Sequence, residues 1–176
     1  MDNLGKHLIE DEPRRHVCDV AGLGVSVTRG WWAQPLGMVL GGQLLGRLFG
    51  NPDHHLRSGL GYAAAIAAAG AVHQVGHIAS ARVVAAPMDT LLVTPIRTYT
   101  LYDDTGKEIT HDQDVGRAIG GPVASISIGI AALFLSLLVD NRYLRFFGVF
   151  STVIGFGALA PFGGNDGEEL FLDKQD

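Results

Sequence analysis

The segment His73-Gln74-Val75-Gly76-His77 places two imidazoles four residues apart within an apolar run. On a helix such residues lie one turn apart on the same face, so both rings can aim a nitrogen at one metal ion. Zinc is the natural candidate, because it takes neutral imidazole readily and leaves a coordination position for water. In a soluble protein the pair would be weak evidence. Inside a membrane helix it means more, since desolvating two polar rings is costly and such residues usually face a bundle interior with a function to perform. The plain alternative is two histidines hydrogen-bonded to neighbouring helices. A third candidate ligand stands in Ala160-Pro161-Phe162-Gly163-Gly164-Asn165-Asp166-Gly167, a Pro- and Gly-rich break where the backbone can turn inward and Asp166 can offer a carboxylate. Taken alone, Asp166 also reads as a solvated turn residue.

These side chains need elements to position them, and the apolar residues supply the pattern. The chain has 176 residues, enough for one domain, and 47% of them are hydrophobic, with a mean hydropathy of +0.23. The average hides clustering. Trp31–Gly50, Ser58–Ala81, Ile119–Val139 and Leu144–Pro161 are each close to the roughly 20 residues that cross a bilayer core. The expectation is a mainly α membrane protein with four transmembrane helices. A soluble bundle would need polar faces at the helical period, and Ile126–Val139 has none. Glycines such as Gly37, Gly41, Gly42 and Gly46 suit helices that approach closely in lipid, as does the Ala-rich run Ala63–Ala71.

The first 30 residues are mostly polar and do not form a cleaved secretory signal, so the expected anchor is the chain's own helices. Cys18 is the single cysteine, which excludes an intramolecular disulfide, and a net charge of −5 leaves no basic patch for nucleic acid. With four spans, Arg47, Arg57, Arg142 and Arg145 fall on one side and the other Lys and Arg residues on the opposite side, which places both termini in the cytoplasm.

On that cytoplasmic side, residues 90–110 read as a β-hairpin. Leu91–Thr94 and Thr98–Tyr102 have strand composition, and Asp103-Asp104-Thr105-Gly106 has turn chemistry. Leu23–Thr28 alternates in a way that lets it pair with the hairpin. Residues 1–22 form a polar amino-terminal tail and 168–176 an acidic carboxy-terminal one. The second and fourth helices both run towards the cytoplasm, which brings His73, His77 and Asp166 to similar depth.

The order and membrane placement of these motifs resemble the site-2 protease family of intramembrane zinc metallopeptidases over roughly residues 20 to 170. His73-Gln74-Val75-Gly76-His77 is similar to that family's His-Glu-x-x-His. Gly121-Pro122-Val123-Ala124-Ser125 is similar to its Gly-Pro-x-x-Asn, and Asn165-Asp166-Gly167 to its Leu-Asp-Gly. Val25–Trp32 resembles the strand leading into its first helix. The resemblance implies that His73, His77 and Asp166 bind Zn2+ with water in the fourth position. It further implies that Gly121, Pro122 and Ser125 position substrate, and that clients are transmembrane segments of other proteins in the bilayer.

Two departures bear on activity. Ser125 replaces Asn, and a hydroxyl still donates a hydrogen bond. Gln74 replaces the Glu that would act as general base. An amide nearly matches Glu in shape and can hydrogen-bond a water, but it has no carboxylate to take a proton. The resemblance thus implies an inactive chain: either an inactivating substitution in a protease, or a natural pseudoprotease that binds clients around a zinc. A metal or proton transporter is disfavoured, since the other three apolar runs carry almost no ionisable residues. His54-His55 and His111-Asp112-Gln113-Asp114 read as solvated loop and helix-entrance residues, and Glu168 and Glu169 as part of the solvated tail.

Overall fold

The structure, a computed structural model, describes residues 13–20, 22–50, 52–102, 104, 107–161 and 165–171. The apolar runs are helical. α1 spans Ala33–Phe49 and α2 spans His55–Val83, with a short 3-10 turn at Pro52–His54 between them. α3 spans His111–Val139, α4 spans Arg142–Ala158, and α5 spans Asp166–Phe171.

Local side chains set the helix ends. The Thr110 hydroxyl accepts from the Gln113 N–H at 3.3 Å while Gln113 Oε1 accepts from the Thr110 N–H at 3.0 Å, a reciprocal capping box. α3 therefore starts at His111, well ahead of the apolar run at Ile119. Asn141 Oδ1 accepts from the N–H groups of Tyr143 and Leu144 and opens α4. α2 ends in a Schellman closure: the Ala86 N–H reaches Ala81 O at 2.9 Å and the Ala85 N–H reaches Arg82 O at 3.2 Å. Ala85 takes the left-handed position, φ 56°, that glycine usually fills.

Among the described residues the sheet has four strands in the order β1-β2-β3-β4: Arg15–Val20, Leu23–Val27, Thr90–Val93 and Thr98–Leu101. β2 and β3 run parallel. Parallel neighbours need a long crossover, and here the chain between them forms α1 and α2. β3 and β4 are the expected hairpin, and β2 pairs with it. Its turn is Thr94–Arg97, where the Thr94 hydroxyl donates to Arg97 O at 2.7 Å and accepts from the Arg97 N–H at 3.3 Å. Of the segment with turn chemistry, Asp103, Thr105 and Gly106 lie outside the described residues. β1 falls in the stretch expected to be a polar tail. Its six residues are all exposed, so no buried face marks it in the sequence.

The chain divides into two compact units. One comprises Pro35–Gly76 and Gly121–Gly157 and is helical. In it α1 meets α2, and α3 meets α4, through glycine. A Cβ on Gly42 would lie 2.6 Å from Ala63 N, and one on Gly148 would lie 2.8 Å from Gly129 O. Its interior is small and polar, with Ser125, Ser136 and Ser151 all within 1% of full burial. Its large side chains point outward instead: Leu40, Leu48, Phe134 and Leu138 are exposed. The other unit comprises Met1–Gln34, His77–Gly120 and Ala158–Asp176 and contains the sheet. Leu23, Met88 and Leu92 form its apolar core, with Leu92 fully buried.

Among the described residues, α3 is the one helix long and apolar enough to cross a membrane. Length and composition alone do not mark the other three expected crossings. α1 and α4 have 17 residues each, short of the roughly 20 that a bilayer core requires. α2 is long enough, but its apolar content is diluted by small and polar residues including His73, Gln74 and His77.

Candidate metal centre

α2 is a single uninterrupted helix, so its geometry fixes His73 and His77 one turn apart on the same side. Each ring has its Nδ1 engaged. His77 Nδ1 lies 2.9 Å from the Arg117 carbonyl oxygen, and His73 Nδ1 lies 3.0 Å from the Ser125 hydroxyl. A carbonyl can only accept. The neutral His77 ring therefore carries its proton on Nδ1 and presents a lone pair on Nε2.

That Nε2 stands 3.4 Å from Asp166 Oδ1. Two lone-pair atoms at this separation repel one another unless a proton or a cation lies between them. Zinc bonds of about 2.0–2.1 Å at the tetrahedral angle place neighbouring ligand atoms roughly 3.4 Å apart. One donor atom from each of His73, His77 and Asp166 lies within 4.8 Å of the others. Two imidazoles and a carboxylate are a donor set that zinc accepts with a position to spare, so the residues present fit the ion. His77 is 4% exposed and the Asp166 side chain 24% exposed, which leaves the approach on the carboxylate side.

Asp166 is placed by a tight backbone fold. It opens α5, and the next residue, Gly167, is buried against the end of α4, where a Cβ would strike the Leu159 carbonyl. Only glycine fits there. The Pro-Gly break expected ahead of Asp166 includes Phe162–Gly164, outside the described residues. Residues 168–171, expected to begin an acidic tail, belong instead to α5.

The remaining candidates take these places. Gln74 is half-buried on α2, next to His73. Gly121 and Pro122 are buried inside α3, and α4 comes so close that a Cβ on Gly155 would lie 2.8 Å from the Pro122 carbonyl. Ser125 is fully buried and meets His73. His54 and His111 are exposed, and His55 Nδ1 lies 3.5 Å from Gly46 O.

No family model matches the chain, and no curated protein matches it in sequence. In structure it is similar to the site-2 protease from Methanocaldococcus jannaschii, with a TM-score of 0.64 and 17% identity, over 90% of this chain and 69% of that one. At this identity the likeness is one of fold. In this chain the paired histidines occupy α2, the Gly-Pro segment lies inside α3, and the aspartate follows α4 at the start of α5.

Arg117, which the sequence places only among the cytoplasmic-side charges, is 4% exposed and its carbonyl holds His77. A signal for its burial, though not for its contact with His77, exists in the sequence. An Arg at the edge of a long apolar helix, with Asp114 one turn before it, has to be paired or face a polar interior.

Proposed function

We propose that this chain is an intramembrane zinc endopeptidase of the site-2 type, built to act on transmembrane segments of client proteins and silenced by Gln74. The observation that carries the reading is the pairing of His77 Nε2 with Asp166 Oδ1 at 3.4 Å, in a ring whose Nδ1 is already committed to a carbonyl. The shared fold adds support.

His73, His77 and Asp166 would hold the metal. When bound, zinc would lower the pKa of a water towards about 7 and polarise the scissile carbonyl. The chain's own groups do the rest. Ser125 and the Arg117 carbonyl orient the two imidazoles, and Gln74 offers an amide that can hydrogen-bond but cannot accept a proton from water. β1 and β4 are the sheet's edges, where an unwound client can add as a strand.

The bilayer is the proposed surrounding. Large apolar side chains outside and serines and glycines inside suit a lipid solvent, where backbone approach rather than hydrophobic burial drives helix packing. In this reading all four long helices cross, both termini are cytoplasmic, and nucleic acid plays no part.

The test reconstitutes tagged single-span substrates with the chain in liposomes. The Gln74→Glu variant is expected to cleave them while the parent chain does not. A Gln74→Glu protein that holds zinc and still cleaves nothing removes the protease reading. Gln74 beside three retained ligands also fits a zinc-containing, non-catalytic client-binding protein. That reading expects clients to co-purify with the parent and Gln74→Glu to gain nothing.

A further inference from the structure

Arg117 is charged yet almost fully buried, a state that is costly unless its donors are met. Its Nε donates to the Ala86 carbonyl at 2.9 Å. Its two terminal nitrogens donate to the two Asp104 oxygens at 2.8 Å each, and one also reaches Asp114 Oδ1 at 3.3 Å. The guanidinium lies 4.2 Å from the centre of the Tyr102 ring. These partners come from three places: the segment that follows α2, the segment that leaves β4, and the first turn of α3. The same residue's carbonyl accepts from His77 Nδ1 at 2.9 Å and from the Ser80 hydroxyl at 3.4 Å. A side chain anchored on several segments thus fixes the carbonyl that fixes a candidate ligand.

We propose that Arg117 is a positioning residue for the metal centre, a role that rests on the zinc reading above. Its guanidinium, forked onto Asp104 and tied to Ala86, holds its own carbonyl on His77 Nδ1 and so couples the segment leaving the sheet to zinc affinity. The planar fork matters. A lysine ammonium is a single point charge and cannot serve both Asp104 oxygens and the Ala86 carbonyl together. Asp104 and Asp114 keep 36% and 35% side-chain exposure, so they stay hydrated if the guanidinium is lost.

The experiment uses the full chain in detergent micelles. Zinc affinity is read by competition with a chelating dye, and the His77 tautomer of the metal-free protein by nitrogen NMR of labelled histidine. Arg117→Lys and Asp104→Ala are expected to weaken zinc binding by about 10- to 100-fold and to deplete the Nδ1–H form of His77. Arg145→Lys, at an exposed ion pair with Asp140, is expected to change neither. Asp104→Ala keeps the test open if Arg117→Lys fails to fold, because Asp104 lies on the wet side of the pair. Parent-like zinc affinity together with an unchanged Nδ1–H signal in Asp104→Ala overturns the proposal. A parent chain that binds no zinc removes the metal reading instead, and the tautomer signal then decides the role of Arg117 alone.

Discussion

The two units hold their histidines differently. In the helical unit His73 meets the hydroxyl of Ser125, a group that donates or accepts as required. In the sheet-bearing unit His77 meets a peptide carbonyl that can only accept, on a residue tied down by charge. One contact tolerates either tautomer, whereas the other enforces one. The contrast follows from what each unit can bury. A unit packed through glycines and serines has hydroxyls to spare, while a unit with a sheet and hydrated carboxylates can neutralise a guanidinium.

The contrast can be broken most severely at the ligands. His77→Ala and His73→Ala are both expected to abolish stoichiometric zinc, as measured by metal analysis of the purified protein. If His73→Ala retains the metal, His73 is not a ligand and the contrast between the two histidines loses its meaning. Gly167→Val comes next. Its side chain would strike the Leu159 carbonyl and lift Asp166 away, with a loss of zinc and a stability cost of about 1–3 kcal/mol by thermal unfolding. Ser125→Ala leaves a ring nitrogen without its partner but forces no change of tautomer. Its expected cost in zinc affinity is about tenfold, at the low end of the range for Arg117→Lys. A larger effect at Ser125 than at Arg117 would reverse the ranking of the two contacts.

The smallest effect concerns pH. The hydrogen bond from Arg117 holds the Asp104 carboxyl below its ordinary value of 3.8, against a weaker opposing effect of burial. A carboxyl with a lowered folded pKa stabilises the fold above its unfolded value, and that stability is lost as pH falls through the folded one. Thermal stability is therefore expected to decline below about pH 4, and part of that decline should vanish in Asp104→Asn. Identical acid profiles for parent and variant would show that the ion pair adds nothing to stability.

What the sequence displayed follows from which signals are local. Four apolar runs marked the long helices, but the start of α3 at His111 was not read, because the Thr110–Gln113 capping box lies well ahead of the apolar run at Ile119. The histidine spacing marked one face of α2. β3 and β4 showed as the β-rich runs Leu91–Thr94 and Thr98–Tyr102, and the alternation at Leu23–Thr28 showed β2. β1 was not legible, because Arg15–Val20 buries no face that a period of two could reveal. The start of α5 was also hidden, since Asp166-Gly167 is set by close approach to Leu159 and not by propensity. Arg117 was invisible as a support for His77 because the contact runs through its backbone, which no side-chain motif encodes. Ser125 appeared as a substrate-positioning residue by resemblance, and its full burial beside His73 shows a contact that spacing alone does not contain.

We propose that His73, His77 and Asp166 form a zinc centre. Its most direct test is zinc K-edge absorption and metal analysis on the detergent-purified parent chain and on Asp166→Ala. One zinc per parent chain is expected, with nitrogen and oxygen ligands at about 2.0–2.1 Å, and its loss in Asp166→Ala. A zinc-loaded parent that retains no metal, or an Asp166→Ala protein that keeps the same coordination, would contradict it.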